Sequence, residues 1–288
     1  MDPTEQRQAE IEAKRAQLVR EYPILWAKLI KEWLADSDEN RVWLTYAANY
    51  LFRTGGVRWA IDPFTLRARL PAAPAVDTAR DLSSLWFVLL THRHADHLDK
   101  DALRSLRHLP IRWVVPEFML ATLEEIGIPK AYIRVPQVLQ EFELDGIKIL
   151  PFEGLHFNLA HDGEMHGVPE MGYRIEVNGQ RWLFPGDTRD YNQAAMPDFG
   201  RLDTVFAHLW LGRREGVTDS PALLDRFCNF HLSFQPARII ITHLEELGRN
   251  ARSYWNLSHV KLVAERFKQL APNIQVDYLL TGQSTVLE

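Results

Sequence analysis

Residues 85–98 read Leu85-Trp-Phe-Val-Leu-Leu-Thr-His-Arg-His-Ala-Asp-His-Leu98. The apolar run from Leu85 to Leu90 predicts a buried strand. Four polar side chains follow at tight spacing: His92, His94, Asp96 and His97. Imidazole nitrogen and carboxylate oxygen are the donors that suit zinc, iron and manganese. At an extended strand end alternate residues project to one side, so His92 and His94 can share one metal. Asp96 and His97 fall where the chain turns and can face a second. The plain alternative is a histidine-rich surface turn, disfavoured because further ligand-type residues end later strands.

Upstream, the pattern has period two. Val42–Tyr46, Tyr50–Phe52 and Val57–Ile61 predict strands, with Gly55-Gly56 as a tight turn and Asp62-Pro63 as the stop. Before them, residues 4–20 are charged helix formers, and Pro23 is expected to break or restart the helix. Ile24, Leu25, Trp26, Leu29, Ile30, Trp33 and Leu34 make an apolar stripe at helical spacing. The polar run 36–40 marks an edge, giving an N-terminal helical extension over 1–40 and a main domain over 41–288. The extension is expected to pack on that domain or join two copies through a homo-oligomer contact, rather than to cover substrate. Residues 66–84, with Pro71, Pro74 and several alanines, predict a loop.

Downstream, Asp99 can cap a helix over 100–107. Ile111–Val115 predicts a strand, Pro116 opens a helix and Gly127 closes it. Val138–Leu144 and Ile147–Phe152 predict a hairpin on Asp145-Gly146, after which His156 stands, with His161 and His166 as rivals in the loop beyond. Met171–Val177 and Gln180–Phe184 flank Asn178-Gly179 and deliver Pro185-Gly186-Asp187-Thr188. A further strand carries His208, followed by Arg213 and Arg214 in a loop that could hold an anion. A helix is expected over 221–231, with His231 structural, and Ala237–Thr242 ends on His243. Arg249, Arg252, Tyr254 and Trp255 lie just beyond and are expected to rim the pocket, His259 is expected to be a cap or surface group of an amphipathic helix, and Gln275–Leu280 closes the sheet.

His-x-His-x-Asp-His after an apolar strand, with Gly-Asp-Thr at 186–188, resembles the metallo-β-lactamase-fold hydrolase superfamily. The resemblance runs from about Arg41 to the C-terminus. It implies an α+β fold, a four-layer αββα sandwich with the N-terminal helical extension added, and a two-metal site along one sheet edge. By the same resemblance His92, His94 and His156 would hold one metal and Asp96, His97 and His243 the other, with Asp187 bridging. Asp62 would support the metal loop. Zinc comes first, with manganese or iron behind it. The nucleophile would be a metal-bridging hydroxide, and Asp96 could also accept its proton. His208, Arg213 and His166 are candidate substrate contacts. One departure stands out: Tyr46-Ala47 replaces the Gly-His of many relatives, and Asn49 is the candidate substitute for the missing contact.

Within the superfamily the chain is similar to the small, insert-free hydrolases that include L-ascorbate-6-phosphate lactonase. That likeness implies a phosphorylated lactone or a phosphodiester as substrate. A nuclease or cyclic-nucleotide phosphodiesterase is the enzymatic alternative, distinguished by tight polyanion binding with a steep salt slope. A non-catalytic metal-binding scaffold is the third reading, predicting metal content without turnover.

Composition agrees with a globular protein. Of 288 residues 46% are hydrophobic, enough for one large domain. The net charge of −5 makes nucleic acid an unlikely partner, and a small anionic substrate is expected instead. Cys228 is the only cysteine, so no intramolecular disulfide can form. With no signal-peptide pattern at the N-terminus and no 18-residue apolar run, a soluble cytoplasmic protein is expected.

Overall fold

A computed structural model describes residues 3–159, 165–212 and 221–288. Two seven-stranded sheets face one another. The first has the spatial order Ser284–Val286, Arg41–Leu44, Tyr50–Thr54, Val57–Ile61, Phe87–Leu89, Arg112–Val114, Ile133–Arg134. The second runs Gln275–Tyr278, Pro236–Thr242, Leu202–His208, Gln180–Phe184, Met171–Val177, Ile147–Glu153, Phe142–Leu144. Alternation along each strand builds the layers. Trp59, Ile61, Phe87 and Leu89 point into the core between the sheets, where they meet Tyr173, Trp182 and Phe206. Ala60, Val88 and Trp113 point outward, against helices Pro3–Leu34, Lys100–Leu106 and Leu120–Ile126. Helices Pro221–Ser233 and Leu257–Leu270 cover the second sheet through Phe227, Phe230, Val263 and Phe267. The result is the expected αββα sandwich.

Strand direction decides where a site can lie. The first sheet becomes parallel from Val57–Ile61 onward, and the second from Gln180–Phe184 onward. Parallel strands all open their carboxyl ends on one edge, which is where ligand sites collect in such sheets. Residues 91–97 follow Phe87–Leu89, Asp187 follows Gln180–Phe184, His208 ends Leu202–His208 and His243 follows Pro236–Thr242.

Several local expectations need correction. The first helix runs unbroken from Pro3 to Leu34, through Pro23. An interior proline removes a backbone hydrogen bond, but tertiary anchors hold the helix on both sides of it. Tyr22 Oη accepts from Leu66 N at 2.9 Å, Trp26 Nε1 donates to Asp81 Oδ2 at 2.8 Å, and Trp33 Nε1 donates to Phe52 O at 2.9 Å. Residues 66–84 contain two short helices, Leu66–Arg69 and Thr78–Asp81, the second capped by Asp77. The strand expected from Val138 begins only at Phe142, because Leu139 sits at φ 61° in a turn. The closing strand ends at Tyr278, and the chain then crosses to pair Ser284–Val286 with Arg41–Trp43 on the first sheet. The hairpin turns at Gly55-Gly56, Asp145-Gly146 and Asn178-Gly179 all show the positive φ pairs that their sequences call for. Among the described residues no helix is long and apolar enough to cross a membrane.

Candidate metal centre

Two groups of donor side chains converge at the shared strand edge. In one, ligand atoms of His92, His94 and His156 lie within 4.8 Å of one another. In the other, Asp96, His97, Asp187 and His243 do the same. His94 is half-buried and the other six residues are buried. A third grouping, Asp62 with His92 and His97, shares two of these rings.

The hydrogen bonds fix which nitrogen of each ring faces inward. His97 Nδ1 donates to Asp62 Oδ2 at 2.8 Å, so Nε2 presents its lone pair. That Nε2 has no hydrogen-bond partner and lies 3.4 Å from Asp187 Oδ2. His92 Nδ1 lies 3.1 Å from Glu170 Oε1, and its Nε2 is likewise buried without a partner. His156 gives Nδ1 to the Asp187 carbonyl and turns Nε2 to within 2.9 Å of His94 Nδ1. His243 Nε2 is 3.3 Å from Asp96 Oδ2 and 3.5 Å from Asp187 Oδ2. Lone pairs and carboxylates thus face one another in a buried space, which costs free energy unless a cation lies among them. The residues therefore fit a divalent metal, with ring Nδ1–H groups of His97 and His92 held by carboxylates in the manner usual for metal-ligating histidine.

The charges of the site follow. Burial pushes the Asp187 carboxyl up, but His243, His97 and the bond from His208 outweigh it and hold it well below the usual range. Asp96 is likewise held low against burial by its bond to His243 and the His97 charge. Burial drives His156 down to about 3, which keeps it a neutral donor. Burial would lower His97 too, but Asp187 and Asp62 win and raise it well above the ordinary value, so a proton and a cation compete for the same Nε2 lone pair.

The sequence-predicted residues divide as follows. His92, His94, Asp96, His97, His156, Asp187 and His243 come together. Of the rivals to His156, His166 pairs across a two-stranded ribbon with Asn158 and joins neither group, while His161 lies outside the described residues. Arg213 also lies outside them. His208 donates Nδ1 to Asp187 Oδ1 at 2.8 Å and takes Tyr50 Oη on Nε2 at 2.9 Å, so it is tied to the carboxylate rather than free. Asp187 accordingly offers Oδ2 to the second group while Oδ1 is held by His208. Asn49 does not replace a substrate contact. It is fully buried, and its Nδ2 ties the carbonyls of Asp62 and Asp96 at 3.0 Å each.

Glu170 went unread in the sequence. Its Oε1 accepts the Asp187 backbone N–H at 2.9 Å as well as facing His92, so one oxygen joins the two groups. Burial and the neighbouring Asp187 raise its pKa well above the usual range. Gly154 and Gly186 make its room: a Cβ at either would meet Glu170 side-chain atoms at 2.7 and 2.4 Å. A Gly-Gly cradle from two strands around one acid leaves no local sequence pattern.

A four-layer sandwich with a histidine–aspartate centre on its parallel-strand edge defines a class of metalloprotein. The comparisons place the chain within it. Residues 58–244 match the family described as Beta-lactamase superfamily domain, and the chain belongs to that family. It is 29% identical to a metal-dependent hydrolase of Cupriavidus metallidurans over 161 residues, 51% of this chain and 54% of that protein, so the match spans about half the relative's length. Among solved structures it is similar to Igni18, a metallo hydrolase of Ignicoccus hospitalis, with TM-score 0.62, 16% identity and 86% and 98% of the two chains covered. It is also similar to CmlA, a diiron beta-hydroxylase of Streptomyces venezuelae, with TM-score 0.60, 16% identity and 88% and 55% covered. Identities this low establish the shared fold and leave the reaction open.

Proposed function

We propose that the protein is a metal-dependent hydrolase, acting in the cytoplasm on a phosphorylated small molecule, lactone or phosphodiester. The observation that carries the reading is the pair of buried, partnerless Nε2 atoms of His92 and His97, aimed into the two donor groups. His92, His94 and His156 would hold one divalent cation and Asp96, His97, Asp187 and His243 a second, zinc being favoured by the donor set and manganese or iron next. Cations there would lower the pKa of a bound water from 15.7 towards about 7 and polarise the oxygen of the group attacked.

The chain's own residues do the rest. Asp62 and Glu170 hold the rings of His97 and His92 in one tautomer. Tyr50, itself bonded to Thr242 Oγ1 at 2.6 Å, fixes His208, and His208 fixes Asp187. Asp96 would also accept the proton of the attacking water, as a weak base, since it is held ionised and would bind a cation. The two ligand aspartates carry a charge of −2 against +4 from two divalent ions, and the excess favours an anionic substrate. The test is metal analysis of unchelated protein together with a panel of phosphodiesters, lactones and thioesters. Stoichiometric metal with chelator-sensitive turnover of one class is the expected result. Metal-replete protein that turns over no ester would leave a binding protein and end the hydrolase reading.

A further inference from the structure

Asp187, His208, His243, Trp210, Arg189 and Arg249 wall a small pocket beside the metal centre. The hydrolytic chemistry above uses neither arginine. Arg249 Nη2 lies 3.8 Å from Asp96 Oδ2, the oxygen that faces His243 Nε2 at 3.3 Å. Asp96 stands between this guanidinium and the cation site, so one carboxylate is shared between two positive charges. The other ion-pair partner of Arg249 does not cancel its charge. Glu246, 3% exposed, pairs with Arg249 through Oε2 and with Arg69 through Oε1, so one carboxylate serves two guanidinium groups. With Asp96 shared with the cation site, the two guanidinium groups and the cations leave the pocket wall positive.

The loop that carries Arg249 is tied to the domain by Leu247 N donating to Tyr46 Oη at 2.7 Å and by Glu245 N donating to Trp255 O at 2.8 Å, and it contains strained backbone. His243 and Glu245, neither of them glycine, sit at φ 61° and 52°, in the left-handed region. The first helix grips this loop from outside. Arg15 Nε donates to Leu247 O at 2.7 Å and Arg15 Nη2 to Arg249 O at 3.0 Å. Lys14 pairs with Glu245 at 3.0 Å, Arg7 donates to Tyr254 O at 2.6 Å, and Gln8 Oε1 accepts from Ala251 N at 3.2 Å. These helix residues precede the matched family segment, which begins at residue 58.

We propose that Arg249 binds an oxyanion of the substrate, a phosphate or a carboxylate next to the bond that is cleaved, and that Arg15 on the first helix is the positioning residue that aims it. The proposal rests on the reading that cations occupy the two donor groups. A planar guanidinium matches either oxyanion with two parallel donors. The first helix is then part of the substrate site by way of a backbone carbonyl.

The test is calorimetric titration of the metal-loaded full chain with inorganic phosphate and, separately, with acetate. The wild type is expected to bind at least one of them, and the preferred anion identifies the substrate group. Arg249→Gln should weaken that binding by at least about tenfold with metal content unchanged. Arg15→Ala should weaken it by about threefold in protein that is still folded at the titration temperature, and should add nothing in the Arg249→Gln background, because it acts through Arg249. Arg67→Gln, an exposed arginine on the same short helix as Arg69, is the control. Wild-type protein that binds neither anion, or Arg249→Gln that binds as the wild type does, overturns the proposal. Metal lost along with the anion in Arg249→Gln also overturns it, assigning Arg249 to the support of Asp96. An Arg15→Ala effect of equal size in both backgrounds removes the helix from it. Ester turnover without anion binding would sink this inference while leaving the hydrolase reading standing; binding without turnover would do the reverse.

Discussion

His92 and His97 at the strand edge can be set against His231 on the helix Pro221–Ser233. All three rings are buried, all three have Nδ1 engaged, and all three leave Nε2 without a partner. The difference lies before and behind the ring. His97 has the Asp62 carboxylate behind it and Asp187 in front, and His92 has Glu170 behind it and His94 and His156 at its side. His231 gives Nδ1 to the Phe227 carbonyl at 2.8 Å and is ringed by Phe227, Phe230 and Tyr191. Burial therefore drives His231 down to about 4, while carboxylates raise His97 against the same burial. An orphaned imidazole nitrogen is not in itself a sign of a ligand; convergent donors with a carboxylate behind the ring are.

The largest effects should come from removing a donor. Asp187→Ala takes an oxygen from His97 and His243 together, and His94→Ala opens the neutral group. Each is expected to cut turnover by about 10³-fold or more, since cations supply several kcal/mol of charge stabilisation in such reactions. Metal content and turnover, read together with a circular dichroism spectrum to confirm folding, check this. Either variant retaining wild-type rates would show that convergence is not what distinguishes the edge histidines.

A finer probe keeps the donors and changes only what stands behind one ring. Glu170→Gln fits the Gly154–Gly186 cradle in size but puts an amide where the acid faces His92 Nδ1. Loss of such a partner costs roughly 10- to 100-fold in metal affinity. Competition with a chromophoric chelator measures it. Equal affinities in Glu170→Gln and the wild type would mean that the Asp187 backbone bond is the whole role of Glu170.

How far the sequence carried this contrast depends on the kind of signal. His92, His94, Asp96 and His97 share one short turn, so donor spacing suffices to find them, whereas Asp187 and His243 end apolar strands and were read as ligands through the family resemblance. His231 was legible as structural because it closes an apolar helical segment. Glu170 was not, because its meaning comes from two glycines just past the ends of other strands, 16 residues away on either side. Arg249 could be placed near the rim, but its tie to Arg15 spans 234 positions and no local pattern carries it. The continuous helix through Pro23 escaped for the same reason. Its anchors, Leu66 and Asp81, lie in the segment read as a loop.

The smallest effect is expected at His231, and there the sign of the pH dependence separates the two kinds of buried histidine. An unfolded histidine titrates near 6.5, whereas His231 in the fold is held at about 4 by burial among its aromatic neighbours. Between these values the unfolded chain binds the proton and the folded chain does not. Stability is therefore full above about pH 6.5, falls as pH drops through the window to about 4, and levels off below it. The fall amounts to about 3 kcal/mol at most. His231→Leu should stay within about 1.5 kcal/mol of the wild type at pH 7, as volume-conserving core exchanges do, and should lose this part of the acid slope. His259, also lowered to about 4 by burial and by Arg7, contributes with the same sign and remains in both chains. The metal ligands titrate alike in both as well, so the difference between the two slopes isolates His231. Urea unfolding at pH 7, 5.5 and 4.5 reads it, with metal content as the second measurement. An unaltered acid slope in His231→Leu would refute the assignment, and metal lost from it would dissolve the distinction between the two regions.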